Sequence, residues 1–340
     1  MKKQAVTVTD IARMLNLSPS TVSRALQGVG RISPATRERV QRTADKLGYV
    51  PNIHAQRLLG GPVQTLGICS SKGFSVPYTD YYMLELLQNL LEASAEVDYG
   101  LQYLHTGDSR KLQQMLATRQ IDGLIIIVDN TVSCRRLATR LAPYPCVLIG
   151  HPAHAFRPGI STITIDAENG SWQATRHLLD LGHTSIGFIR GVPGNPRRDD
   201  KYEGYIKALS SAGIKPNPEL VVNSGGSIEG AIQVSEQLIH RGITATLCET
   251  DLIALGHLHV ANIHGIHIPE SLSIVGFNDS AFSSYVIPSL TTVRIPRVRM
   301  ARKAVAMLLD LIHARVENDH AVIETELIHR SSTAPLHLRP

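Results

Sequence analysis

The chain lacks most of the marks of a secreted protein, a membrane protein or a catalyst. Its 340 residues include four cysteines, one tryptophan and only 5% aromatics. Cys69, Cys134, Cys146 and Cys248 show no CxxC and no paired spacing. Three of them lie in apolar runs (GICSS, PCVLIG, ATLCE), where a thiol behaves as a small hydrophobe. A disulfide framework is therefore not expected, and a reducing compartment is. No apolar run approaches the ~18–20 residues of a membrane span. The basic start MKKQAVTVTDIARML is broken by Asp10 and Arg13 and precedes no small-residue cleavage site, so the reading is cytoplasmic. GxSxG, P-loop and GxGxxG motifs are missing, and GVPGNP at 191–196 has no P-loop lysine. No nucleophile and base are paired, so neither an enzyme nor a cofactor is expected. His257, His259, His264 and His267 crowd one stretch, but their spacing is neither HExxH nor a Cys/His pattern, and no metal is expected.

What the chain does have is a polarised charge. The net charge is +5, yet residues 1–60 alone carry ten Lys/Arg against three acids, leaving −2 for the remaining 280. A short basic head on a near-neutral body is the footprint of a polyanion binder joined to something else.

The head reads as three short helices. Thr7-x-x-Asp10 is a cap-like start, followed by the apolar face Ile11, Ala12 and Leu15. Ser18-Pro19 starts a second helix, with Val22 and Leu26 inward and Gly28 as its stop. Ser33-Pro34 starts a third, with Val40, Ala44 and Leu47 as its stripe and Gly48 as its end. Helix, tight turn, helix and a longer helix is the helix-turn-helix layout. Residues 53–59 can form about two helical turns, too few to stand alone in water. Gly60-Gly61-Pro62 then breaks any helix.

From residue 65 apolar strands alternate with amphipathic helices. Nine strands are expected, at 65–71, 100–106, 122–128, 145–151, 162–166, 185–191, 219–223, 245–249 and 273–277. Helices are expected at 81–97, 172–181, 201–212 and 228–241. Continuous runs such as GLIIIV and LSIVGF suit strands buried on both faces, hence parallel, doubly wound sheets. Nine strands are many for one sheet, so two lobes with a break near 151–163 are expected. Ligands of such folds sit at the carboxyl ends of the strands or between lobes.

The string VTDIARMLNLSPSTVSRALQG, then ISPATRERVQRTADKLGYVPN and AQRLL, resembles the head of the lactose-repressor (LacI/GalR) family of bacterial regulators. ITIDAENGSWQATRHLLDLGHTSIGFI, YEGYIKAL, ATLCETDLIALG, IPESLSIVGFNDS and PSLTTVRIP resemble its core, so the likeness spans nearly the whole chain. It implies an all-α, lambda-repressor-like helix-turn-helix head over residues 1–50 and a hinge helix and linker over 51–64. The rest, 65–340, would be a two-lobe α/β periplasmic-binding-protein-like core. Its N-lobe would hold about 65–160 plus 292–325, and its C-lobe about 161–291. The implied protein is a homodimer that binds a pseudopalindromic double-stranded DNA operator and a small-molecule effector, most simply a sugar or sugar derivative. A repressor of carbohydrate-utilisation genes fits best; the alternative is an activator or a co-repressor-dependent regulator that senses another metabolite.

The same resemblance places residues 18–26 in the major groove, with Pro19, Ser20 and Arg24 reading base edges. Arg24 suits the bidentate contact to guanine. Ser18, Thr21 and Ser23 would hold phosphates, with Thr7, Asn52 and Ala55 as further DNA contacts. Leu58 matches the hinge leucine that enters the minor groove, with Leu59 as its rival. Effector contacts would fall on Tyr81, Tyr82, Lys201 and Asp251, with Asp166, Glu249 and Phe277 added from the same motifs. Lys201 stands where the family usually has arginine, and Thr250 where it has asparagine. Asp251 also has a plainer reading as the cap of a helix over 252–264.

Overall fold

The computed structural model describes residues 6–26, 28–49, 63–70, 81–104, 108–128, 137–150, 160–191, 196–316 and 319–336. The chain divides into two compact units, residues 1–63 and 64–340. The expected hinge helix, and with it Asn52, Ala55 and Leu58, lies outside the described residues.

The head is helical because each helix has its own start signal. Helix α1 (Val8–Leu15) opens on a reciprocal capping box. The Thr7 hydroxyl accepts from the Asp10 amide and the Asp10 carboxylate accepts from the Thr7 amide at 2.9 Å. α2 (Pro19–Leu26) begins after Ser18, whose hydroxyl accepts from the Thr21 amide at 3.1 Å. α3 (Pro34–Leu47) is capped by Ser33 and ended by Gly48 at φ 64°, a left-handed position that glycine adopts without a Cβ penalty. Ile11, Ala12, Val22, Ala25, Val40 and Ala44 form the buried centre, ringed by Leu15, Leu17, Leu26 and Leu47.

The larger unit holds two six-stranded sheets. In the first, β1 (Thr65–Ser70), β2 (Gly100–Tyr103), β3 (Gly123–Ile127), β4 (Cys146–Ile149), β5 (Ser161–Ile165) and β11 (His320–Ile323) run in the order β11-β5-β4-β3-β1-β2, all parallel. The second comprises β6 (Ile186–Arg190), β7 (Val221–Asn223), β8 (Ala245–Cys248), β9 (Ser273–Asn278), β10 (Thr291–Arg294) and β12 (Glu326–Ile328). Its order is β12-β10-β9-β8-β6-β7, and only the β10–β12 pair is antiparallel. Every residue of β3, β4, β8 and β9 is buried, which is why these strands read as unbroken apolar runs. The connecting helices include α4 (Tyr81–Ala95), α5 (Ser109–Ala117), α6 (Ala167–Asp180), α7 (Pro196–Ser211), α8 (Ile228–His240), α9 (Asp251–Ile263) and α10 (Arg297–Ile312).

The structure corrects three expectations. Twelve strands are present among the described residues where nine were expected, because β10, β11 and β12 are only three or four residues long. The boundary set at 160/161 falls instead at Asp166, since β5 belongs to the first sheet; loop signals mark where the chain turns, not where it changes sheet. Likewise β10 belongs to the second sheet, so the return to the first begins near 295 rather than at 292. The chain thus passes between the sheets three times, at 166, at 295–296 and at 324–325. The first and third of these passages are tied side by side: the Asp166 amide donates to the Ile323 carbonyl at 2.9 Å, and the Thr325 hydroxyl to the Asp166 carbonyl at 3.1 Å.

Buried histidines fasten the second lobe. His183 lies within 3.0 Å of the Thr244 and Ser273 hydroxyls and of the Ala334 carbonyl, which docks the C-terminal segment. His257 is fully buried on α9, with Nε2 3.1 Å from the Thr246 hydroxyl, and burial pushes its pKa down to about 4. It is therefore neutral in the fold, whereas the unfolded chain takes up a proton near its ordinary value of 6.5. Acidification from pH 6.5 toward 4 then favours unfolding, and above pH 7 the effect vanishes. We expect this one group to cost roughly 2–3 kcal/mol at pH 4.5. Urea unfolding of the wild type and of His257→Gln at pH 7 and 4.5 reads it: the variant should lose less stability between the two, and equal losses would remove the histidine from the account.

A second prediction concerns Gly204, where α7 crosses α6. A Cβ there would land on the Glu168 carbonyl and within 2.9 Å of the Ser171 Cβ. Alanine gains about 1 kcal/mol of helix propensity, but the overpacking should outweigh it and leave Gly204→Ala less stable by about 1–2 kcal/mol. An unchanged or higher urea midpoint would mean that the two helices can separate freely.

Candidate functional site

On the head, the outward face of α2 is made of Pro19, Ser20 and Arg24, with Thr21 and Ser23 half-buried beside them. The Ser18 hydroxyl lies 2.9 Å from that of Ser20 and 2.7 Å from that of Thr21, so the three already satisfy one another. Arg24 is exposed, carries the helix's only charge, and has no ion-pair partner among the described residues. The surface therefore offers one long bidentate donor flanked by short hydroxyls. Thr7 is placed differently: its side chain belongs to the α1 cap, 2.6 Å from the Asp10 carboxylate.

In the core, the candidate effector residues form no single cluster. Lys201, Glu249 and Phe277 do meet. Lys201 on α7 is 6% exposed, donates to the Glu249 carbonyl at 2.7 Å, and sits 3.7 Å over the Phe277 ring. Phe277 itself is fully buried. The Glu249 carboxylate accepts from the Gly191 amide. Arg190, which no sequence motif singles out, extends this group through Asp199 at 2.5 Å and the face of Tyr202 at 4.6 Å. Arginine at a strand's carboxyl end is the one signal that could have found it.

Asp251 is neither an open ligand nor a cap. Thr250 caps α9, accepting from the Ile253 amide at 3.2 Å. The Asp251 carboxylate is fully buried and takes the Ser280 amide at 2.7 Å and the Thr292 hydroxyl at 2.5 Å. Burial raises its pKa, against the hydrogen bonds that lower it. It ties α9 to the loop after β9 and to β10, and a side chain on Gly276 would collide with it. Asp166 caps α6, accepting from the Asn169 amide at 3.1 Å, and stands at a passage between sheets. Tyr82 is half-buried on the core. Tyr81 projects from the start of α4 and meets Phe282 of the second lobe edge-on at 5.2 Å.

Between the lobes lies a turn at Asn278 and Asp279, both at positive φ (121° and 53°), strained for residues with a side chain. Three arginines hold it. Asp279 accepts from Arg294 at 2.7 Å and from Arg330 at 2.6 Å. Arg297 donates to the carbonyls of Asn278 and Asp279 at 2.6 and 2.7 Å. A groove of about 1040 Å³ runs beside this turn along α10, lined by Glu85, Arg297, Arg299, Arg302 and Val322 among others. It is separate from the Lys201 group, whose buried lysine and carboxylate at the carboxyl ends of strands make it the better effector candidate. Among the described residues no three His, Cys, Asp or Glu side chains converge as a metal site, and no helix is long and apolar enough to cross a membrane.

Comparison with known proteins matches residues 7–52 to the bacterial regulatory proteins of the lacI family and residues 175–333 to a periplasmic binding protein-like domain. The chain is 29% identical to the HTH-type transcriptional repressor CytR of Escherichia coli over 98% of its own length and 99% of that protein. It is 30% identical to the HTH-type transcriptional regulator GalR of the same organism, over 91% and 90%. Among solved structures it resembles the transcriptional regulator CelR in complex with cellobiose (27% identity, TM-score 0.72, 96% and 99% covered). The operator-bound lac repressor dimer, with the anti-inducer ONPF, shares the fold at 22% identity and a TM-score of 0.79, over 97% and 100%. A capped three-helix head, two six-stranded sheets crossed three times, and a match that runs from end to end agree: the chain belongs to the lacI family of bacterial regulatory proteins.

Proposed function

We propose that this chain is a ligand-responsive, sequence-specific DNA-binding transcriptional regulator, a homodimeric repressor whose operator affinity is altered by a sugar or sugar derivative. The observation that carries the reading is Arg24: a solvent-facing guanidinium, without an ion-pair partner among the described residues, on the second helix of a helix-turn-helix, the helix that enters the major groove in such heads. The head (1–50) reads the operator and the linker (51–64), with Leu58, enters the minor groove at its centre. The core (65–340) binds the effector beside Lys201 and Glu249. The chain works in the cytoplasm and turns over no substrate. Dimerisation is supported by exposed apolar side chains on α4 (Leu84, Leu91) and beyond β9 (Tyr285, Ile287), the last 88% exposed. The cellobiose carried by CelR supports a sugar as effector.

On this reading Asp251 positions the loop after β9 rather than touching the effector. Direct readout rests on Arg24, because Pro19 offers no donor and the Ser20 hydroxyl is already engaged. Duplexes selected from a random library by the full-length protein should be pseudopalindromic with a guanine at one fixed position in each half-site. Arg24→Ala should lose about 1–3 kcal/mol per half-site and the preference at that base alone. No enrichment over random DNA by a folded, dimeric protein would sink the proposal.

A further inference from the structure

We propose that Glu85 is a latch: a first-lobe side chain that holds the second lobe closed and carries that closure to helix α4. Glu85 lies on the second turn of α4, and Tyr81 stands one turn before it, at the helix start and on the same face. Both reach the segment that follows β9 in the other lobe. One oxygen of the Glu85 carboxylate accepts from the Ala281 amide at 2.9 Å, a bond between residues 196 positions apart. The other lies 2.8 Å from Nη2 of Arg297, off the hydrogen-bonding axis, with the two side chains only 21% and 12% exposed. Tyr81 meets Phe282, the next residue along, edge-on.

Arg297 shows why this carboxylate matters. Its guanidinium already grips the carbonyls of Asn278 and Asp279, immediately beside a passage of the chain between the sheets. A contact so near the hinge moves less for a given swing of the lobes than one farther from it. Glu85 and Tyr81, on the first two turns of α4, engage residues 281–282 beyond the turn at Asn278 and Asp279; on the proposal these are the contacts that opening of the lobes breaks. Glu85 also takes the positive charge that Arg297 brings to the turn, so one side chain fixes both the guanidinium and the segment it clamps. Leu84 and Leu91 are exposed on α4 by 45% and 55%. Resting on the dimeric, operator-binding reading above, α4 thus touches the second lobe and the partner protomer at once. Closure in one protomer would then be felt at the dimer face with no further relay.

The test uses the full-length dimer with spin labels at Arg110→Cys on α5 and Glu270→Cys in the second lobe, both exposed, and with Cys134→Ser; Cys69, Cys146 and Cys248 are buried. Glu85→Ala leaves Arg297 its two carbonyl acceptors. We expect Ala281 to exchange its amide hydrogen roughly tenfold faster or more. The interlobe distance should shift to longer values, and affinity for the duplex selected by the wild type should change by about threefold or more. Faster exchange at Ala281 with distance and affinity both as in the wild type would overturn the latch. Should Glu85→Ala fail to fold, Tyr81→Ala, at a position already 45% exposed, replaces it in the same distance and affinity measurements. A longer interlobe distance with altered affinity then supports the latch, and wild-type values of both overturn it. If even the wild type selects no duplex, the operator reading fails, and the distance measurement alone decides the latch.

Discussion

The core depends on its three passages between sheets. Each lobe is incomplete by itself: the first receives α10 and β11 only after the chain has built most of the second, and the second receives β12 last of all. The first and third are tied to one another by the Asp166 amide and the Thr325 hydroxyl. Three short connections between two rigid sheets hinge far more readily than they shear. The lobes therefore have a single soft coordinate, and a ligand that prefers one setting of it changes the whole core.

That coordinate explains where the buried polar groups lie. An unpaired charge in a protein interior is costly, so each must be answered. Asp251 is answered by Ser280 and Thr292, and Asp279 by Arg294 and Arg330. All six residues belong to the second lobe or to its border with the passages. Their effect is to keep the loop after β9 rigid despite two residues at positive φ. A rigid loop can be engaged or released by the other lobe as a unit, whereas a soft one would absorb the motion locally.

Local rules made much of this legible from sequence. The Thr7–Asp10 box, the Ser18 and Ser33 starts and the Gly48 stop each involve residues within four of one another, so the head could be read nearly helix by helix. The runs GLIII and SIVGF announced buried strands because two covered faces leave no room for alternation. What stayed hidden was nonlocal. Thr291–Arg294 and Glu326–Ile328 are too short for any periodicity, and they are strands only because they find β9 and each other. Asp251 reads as a cap or a ligand by its position, and nothing near it in the sequence names Ser280 or Thr292 as its partners. The resemblance supplied the family and the site's neighbourhood, but which polar atoms remained open needed the tertiary fold.

The head imposes the last constraint. Among the described residues its six buried ones all come from its own three helices, each of which carries its own start signal. On the proposed reading, a head whose described core closes on itself in this way offers an effector at the Lys201 group little of its own fold to melt. Regulation must then act on placement. Two heads read two half-sites only when their separation matches the spacing of the DNA grooves, and one that is tens of degrees out of register loses nearly all its base contacts at once. In the proposed dimer, small changes in the core's soft coordinate, doubled by symmetry at the dimer face, would move the heads, and by linkage the operator would push that coordinate back with equal free energy.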